Sequence, residues 1–273
     1  MSSKASAAAS AAKTKATAKV AACYSKCEWL PQFISEMLGT LILTWLFAIL
    51  NTTARSPQAV AALYYVLLVS VGQLSCGYYN PAIVLGDLVF KKIELKPGLR
   101  YILAQFIGGF LGALIAYFSR EKGVFSYQPT SHAVGYDMGP PFGILLFAYG
   151  LLIMLFICAR SEKNRFVEGE KGNFLVYAIL VYGFLSSIMS LTGGMMNPAV
   201  DVPVNILGHA SVDDYFSLTD SQKDAYSQSL WIYLLAPIVG VLVSFILHLI
   251  GFGGAMEAGA EAPKEQEEDT KAQ

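Results

Sequence analysis

The chain has 273 residues, 55% of them hydrophobic and only 14% charged, with a formal net charge of −1. Soluble domains carry about a quarter charged residues, so the solvent that fits this composition is a lipid bilayer. The near-neutral balance, with no basic stretch interleaved with aromatics between the apolar blocks, excludes a nucleic-acid partner.

In chain order, the first 22 residues are almost only Ala, Ser, Thr and Lys, with Lys4, Lys13, Lys15 and Lys19 as the charges. Such a segment buries too little apolar surface to fold, and residues 1–30 are expected to form a disordered basic tail. It opens without an apolar stretch, so a cleavable signal peptide is not expected. Cys23 and Cys27, just before the first apolar block, read as free thiols, with palmitoylation as the alternative. Together with Cys76 and Cys158 they form no CxxC pair, which leaves no disulfide framework and no zinc site.

Six apolar blocks follow, at about 33–52, 60–76, 99–119, 142–159, 173–191 and 231–250. A helix needs about 20 residues to cross the hydrocarbon. Six crossings place both tails on one side. Basic residues gather in the N-terminal tail, in the 91–100 connection (Lys91, Lys92, Lys96, Arg100) and in the 160–172 connection (Arg160, Lys163, Arg165, Lys171). That side is therefore cytoplasmic. Residues 253–273, with Glu265, Glu267, Glu268 and Asp269, form an acidic tail on the same side.

The second and fifth blocks are short. Each runs into a glycine-containing turn, then Asn-Pro-Ala, then an apolar piece too short to span, Ile83 to Phe90 and Val200 to Leu207. Interrupted segments at matching places mark an inverted repeat with its site at the midplane, here with half-repeats of about 31–120 and 140–252. The expected fold is an all-α membrane bundle of six transmembrane helices plus two half-helices.

Asn is a favoured N-cap and Pro a favoured first helical residue, so Asn80-Pro81-Ala82 and Asn197-Pro198-Ala199 each start a short helix. A helix start inside the membrane leaves amide groups unpaired, which is tolerated only beside protein or a water-filled cavity. The two starts are expected to meet head to head, with the small Ala82 and Ala199 letting the turns touch. Both asparagines then offer N–H donors, and both helix ends carry the positive pole of the helix dipole. Water or a hydroxyl can accept from the asparagines, while a cation meets positive potential.

The stretches SEMLGTLILTW, SCGYYNPAIVL, AQFIGGFLGA, LTGGMMNPAVD and WIYLLAPIVG resemble the aquaporin, or major intrinsic protein, family from Glu36 to Gly251. The resemblance implies one pore per chain and a homotetramer. It places a constriction at Val60, Leu185, Gly194 and Val200. Val200 stands where the family usually has Arg, and Leu185 where water-selective members have His, which implies a wider and more apolar gate. Asp201 resembles the Asp of the glycerol-conducting branch. Glu36 matches a buried acid of the first half, expected to accept N–H groups from the neighbouring half-helix connection. The fourth span carries Leu146 and Phe147 where the family buries a second acid. Cys76, near the pore mouth, and Tyr78 replace a common Gly and His, and Tyr233-Leu234 fits neither branch.

Gly108 and Gly112 have the spacing that serves helix packing. The Asn51-Thr52-Thr53 sequon lies too near a span's end for a good glycosylation acceptor. Residues 210–229 are expected to form a long acidic outer loop. His132, His209 and His248 are scattered, and no metal or cofactor is expected. The implied function is a passive channel for water and small uncharged solutes such as glycerol, urea, ammonia or hydrogen peroxide, and not an enzyme. The alternative is a structural or junctional membrane protein of the same fold with low permeability.

Overall fold

A computed structural model describes residues 29–50, 56–119, 139–160, 170–192, 195–215 and 220–252. They contain helices in the order α1 (Trp29–Leu50), α2 (Pro57–Ser70), α3 (Pro81–Val89), α4 (Leu95–Phe118), α5 (Gly139–Arg160), α6 (Glu170–Thr192), α7 (Pro198–Tyr215) and α8 (Asp220–Leu247). A 3₁₀ turn, Gly72–Leu74, follows α2, and a π turn, His248–Phe252, ends α8. The second four helices repeat the order of the first, with α3 and α7 as the half-helices.

Local chemistry explains the starts. The Ser56 hydroxyl accepts from the Ala59 N–H at 3.2 Å and Pro57 takes the first helical position, so α2 begins capped. Asn80 does the same for α3, with Pro81 behind it. Segments Trp29–Ile49, Leu95–Phe118, Phe142–Ala159 and Leu230–Ile250 are long and apolar enough to cross a membrane, whereas Pro57–Ser70 and Asn173–Ile188 are shorter. Those two are the helices that give way to the Asn-Pro-Ala connections.

The bundle presents apolar residues outward and hides polar ones. Leu99, Leu103 and Ile107 on α4 and Leu242, Phe245 and Ile246 on α8 are exposed, while Glu36, Thr40, Thr44, Gln105 and Ser244 are fully buried. This arrangement suits a hydrocarbon solvent, toward which apolar side chains turn while polar ones face the bundle interior. Helices α1 and α4 approach backbone to backbone. A Cβ on Gly108 or Gly112 would collide with the carbonyl oxygens of Met37 and Leu41.

Three expectations need correction. The second half-helix extends to Tyr215 instead of stopping near Leu207, and residues 210–229 are helical up to Tyr215 and again from Asp220. After Pro203 nothing in this segment breaks the backbone ladder, so polarity alone does not end the helix. Pro203 lies inside α7 and has no N–H for the carbonyl one turn back, at Ala199. That carbonyl oxygen faces Gly109 on α4, where any Cβ would collide with it. A close Cα–H contact of this kind partly replaces the missing bond. Residues 1–28 and 253–273, Asn51 of the sequon, Cys23, Cys27, His132 and Gly194 lie outside the described residues, and Trp29 and Leu30, expected in the basic tail, open α1.

Candidate functional site

The starts of α3 and α7 meet at the centre of the bundle. Each asparagine uses its side-chain oxygen locally: Asn80 Oδ1 accepts from the Ala82 N–H at 3.0 Å, and Asn197 Oδ1 from the Ala199 N–H at 3.1 Å. Each amide nitrogen reaches across. Asn80 Nδ2 donates to the Met196 carbonyl at 2.9 Å, and Asn197 Nδ2 to the Tyr79 carbonyl at 2.6 Å. The asparagines are therefore stapled reciprocally to the opposite connection, not turned only to the space between them. An amide nitrogen has two N–H groups, so one on each asparagine is left for a passing acceptor.

The two accepting residues share an uncommon backbone. Tyr79 has φ 47° and Met196 φ 53°, both left-handed, which costs an L-residue about 1–2 kcal/mol. Surrounding contacts must hold them there, and the two connections do this differently.

The first connection hangs on Glu36 from α1. Its Oε1 accepts from the Tyr78 N–H at 3.0 Å and the Ser75 hydroxyl at 2.6 Å, and its Oε2 from the Tyr79 N–H at 2.7 Å and Gln105 Nε2 at 2.7 Å. Four donors around a fully buried carboxylate satisfy what desolvation would otherwise penalise. Tyr78 donates its hydroxyl to Asp87 Oδ2 at 2.7 Å, tying the connection to the half-helix it opens. The Tyr79 ring packs against Gly39 of α1, where a Cβ would collide with it. Cys76 is exposed at the entry to this turn, with φ 77°.

The second connection is held from within. Asp201, on the first turn of α7, accepts from the Met195 N–H at 2.7 Å through Oδ1 and from the Asn197 N–H at 3.0 Å through Oδ2. Asn205 Nδ2 donates to the Asp201 carbonyl at 2.8 Å, and the Tyr233 hydroxyl of α8 to the Thr192 carbonyl at 2.5 Å. On α5, Leu146 is half-buried and Phe147 faces outward, so no acid reaches this connection from the fourth span.

Between the two starts lies a cavity of about 20 Å³, room for about one water. Asn80 and Asn197 are in its wall with Tyr64, Phe184, Leu185 and Met195. Of the four residues expected at a constriction, Leu185 is in this wall. Val60 and Val200 are fully buried but outside it. Ala82 and Ala199 are fully buried at the helix starts. Among the described residues no cluster of His, Cys, Asp or Glu could hold a metal.

Over residues 23–248 the sequence matches the family described as major intrinsic protein. The chain belongs to the major intrinsic protein family. It is 26% identical over 232 residues to a glycerol uptake facilitator protein-like 6 of Lactiplantibacillus plantarum, covering 81% of this chain and 98% of the relative. It is 26% identical over 250 residues to aquaporin TIP2-3 of Arabidopsis thaliana, covering 84% of this chain and 90% of the relative. The solved structure of the aquaglyceroporin from Plasmodium falciparum shares the fold with a TM-score of 0.67 at 21% identity, over 84% of this chain and 99% of that one. The chain is thus an integral membrane protein of a family of passive channels, not of enzymes.

Within this major intrinsic protein, the departure at Leu146 and Phe147 has a local answer in Asp201. The family resemblance assigns Asp201 only to a branch of the family. The signal for its bonds was present: a carboxylate one turn into a helix whose first N–H groups lack acceptors. Tyr64 was also missed, although it lies one turn beyond Val60 on the same face of α2.

Proposed function

We propose that the chain conducts water and small uncharged solutes, up to glycerol, urea, ammonia and hydrogen peroxide, down their gradients between Asn80 and Asn197. The observation that carries this reading is the reciprocal stapling of the two asparagines beside a one-water cavity. Each staple holds one amide N–H in place and leaves the other to donate to a water or hydroxyl oxygen. The N-termini of α3 and α7 add about half an elementary charge each at the same depth, which opposes cations. Apart from Tyr64, the other described side chains of the wall are apolar, so a solute exchanges few hydrogen bonds as it passes. No bond is made or broken and no cofactor takes part.

Val60, Leu185, Gly194 and Val200 form the outer constriction in this reading, and Val200 makes it apolar. The similarity to a glycerol uptake facilitator and to aquaporins supports both solute classes. The basic tail of residues 1–30 and the acidic tail of residues 253–273 lie in the cytoplasm, flanking a channel domain of residues 31–252 that assembles as a homotetramer.

Stopped-flow light scattering on proteoliposomes tests the proposal. The native protein raises water and glycerol permeability above empty vesicles. Val200→Arg lowers glycerol flux by about tenfold, equivalent to about 1.4 kcal/mol of barrier, and retains most water flux. A second reading, a structural membrane protein of low permeability, is favoured by the small volume of the cavity. Absence of flux through correctly assembled native protein and Val200→Arg would establish it and end the channel proposal.

A further inference from the structure

Among the described residues, Tyr64 is, apart from the two asparagines, the one polar side chain in the cavity wall. It comes from α2 and is 3% exposed. Its hydroxyl donates to the Tyr78 carbonyl at 3.1 Å, with the Gly77 carbonyl at 3.4 Å. Its ring stands edge-on to Tyr79, centroids 6.2 Å apart at 86°. The side chain is therefore fixed at both ends, by its own helix and by the first connection. Tyr79 in turn supplies the carbonyl that orients Asn197. One aromatic ring thus bounds the cavity and touches the residue that aims a donor.

The other lining residues lack this link. Phe184, Leu185 and Leu152 are apolar, with no side-chain hydrogen bond to make, so they can change rotamer without breaking one. A space for about one water does not hold a three-carbon polyol, so any solute larger than water needs part of the wall to move. Moving Tyr64 breaks its bond to the Tyr78 carbonyl.

We infer that Tyr64 sets the solute size limit of this path: its ring narrows the space between the asparagines, and its hydroxyl tether to the first connection keeps the ring there. The inference rests on the channel reading above and locates size selection at the asparagine pair. Water passes beside the ring. Polyols pass at a rate governed by how readily the ring leaves.

The test is a permeability series for water, glycerol and erythritol in proteoliposomes containing native protein, Tyr64→Phe, Tyr64→Val or Tyr64→Leu. The leucine variant keeps apolar bulk on α2 in case the valine variant does not assemble. Loss of folded protein lowers all fluxes alike, so the informative quantity is the ratio between solutes. With the ring removed, the glycerol-to-water ratio rises about fivefold or more, a barrier change near 1 kcal/mol, and erythritol enters. Tyr64→Phe, which keeps the ring and loses the tether, falls between native and Tyr64→Val.

If native protein conducts and Tyr64→Val and Tyr64→Leu keep its ratio and its size limit, the inference is overturned while the channel reading stands. A Tyr64→Phe profile identical to native removes the tether from the explanation. If native protein is silent and Tyr64→Val conducts, the ring is a plug and the inference holds. If no form conducts although all assemble, the inference and the channel reading fall together.

Discussion

The two Asn-Pro-Ala connections reach the same backbone geometry by different means. Both place a left-handed residue before the asparagine, and both offer that residue's carbonyl to the asparagine opposite. The first is held from outside itself, by Glu36 of α1, whose carboxylate is in turn bonded by Gln105 of α4. The second is held by Asp201 of its own half-helix, with Tyr233 of α8 bonding the carbonyl just before it. The repeat thus fixes where backbone groups must lie and leaves open which side chain satisfies them. A carboxylate is suited to either place because it accepts several N–H groups at once.

The contrast can be broken most severely at Glu36. Glu36→Ala strands three buried donors, the Tyr78 and Tyr79 N–H groups and Gln105 Nε2, each worth about 1–3 kcal/mol when unsatisfied, while Ser75 can turn to the Ser35 hydroxyl. No monodisperse folded protein is expected on size-exclusion chromatography in detergent, and recovery of a stable pore would refute external support of the first connection. Asp201→Ala strands two backbone donors at the same unit cost, so a lowered Tm with retained assembly is expected. A loss as complete as that of Glu36→Ala would show that the second connection has no other support. Gly39→Ala forces the Tyr79 ring aside at about 1–3 kcal/mol, lowering the Tm. The smallest effect is that of Tyr233→Phe, which removes one hydrogen bond worth about 0.5–1.5 kcal/mol. A Tm drop smaller than that of Asp201→Ala separates the outer brace from the inner one.

What was legible in the sequence was local. Asn80 and Asn197 announce helix starts because an N-cap and its proline are neighbours in the chain, and the apolar blocks announce a bilayer by length alone. The end of α7 was misplaced because its last turns are polar, and polarity is a weak stop signal without proline or glycine in the right conformation. The crossed bonds of the asparagines join residues 116 and 118 positions apart, and no local pattern encodes such a partner. Tyr64 was passed over for the same reason. Its importance comes from the Tyr78 carbonyl, which belongs to another element. Asp201 sat in plain view, but reading it as a family marker hid its chemistry.

The crossed bonds also bear on the order of events during synthesis. Domains emerge from the ribosome N-terminal part first. When α1 to α4 are complete, the Asn80 amide and the Tyr79 carbonyl still lack the partners that Met196 and Asn197 will bring. Neither group can rest against hydrocarbon unbonded, so water or another protein must cover them until the second half arrives. The first half therefore waits with its inner face covered by a temporary partner, and the donor geometry of the path comes into being only when α7 is inserted.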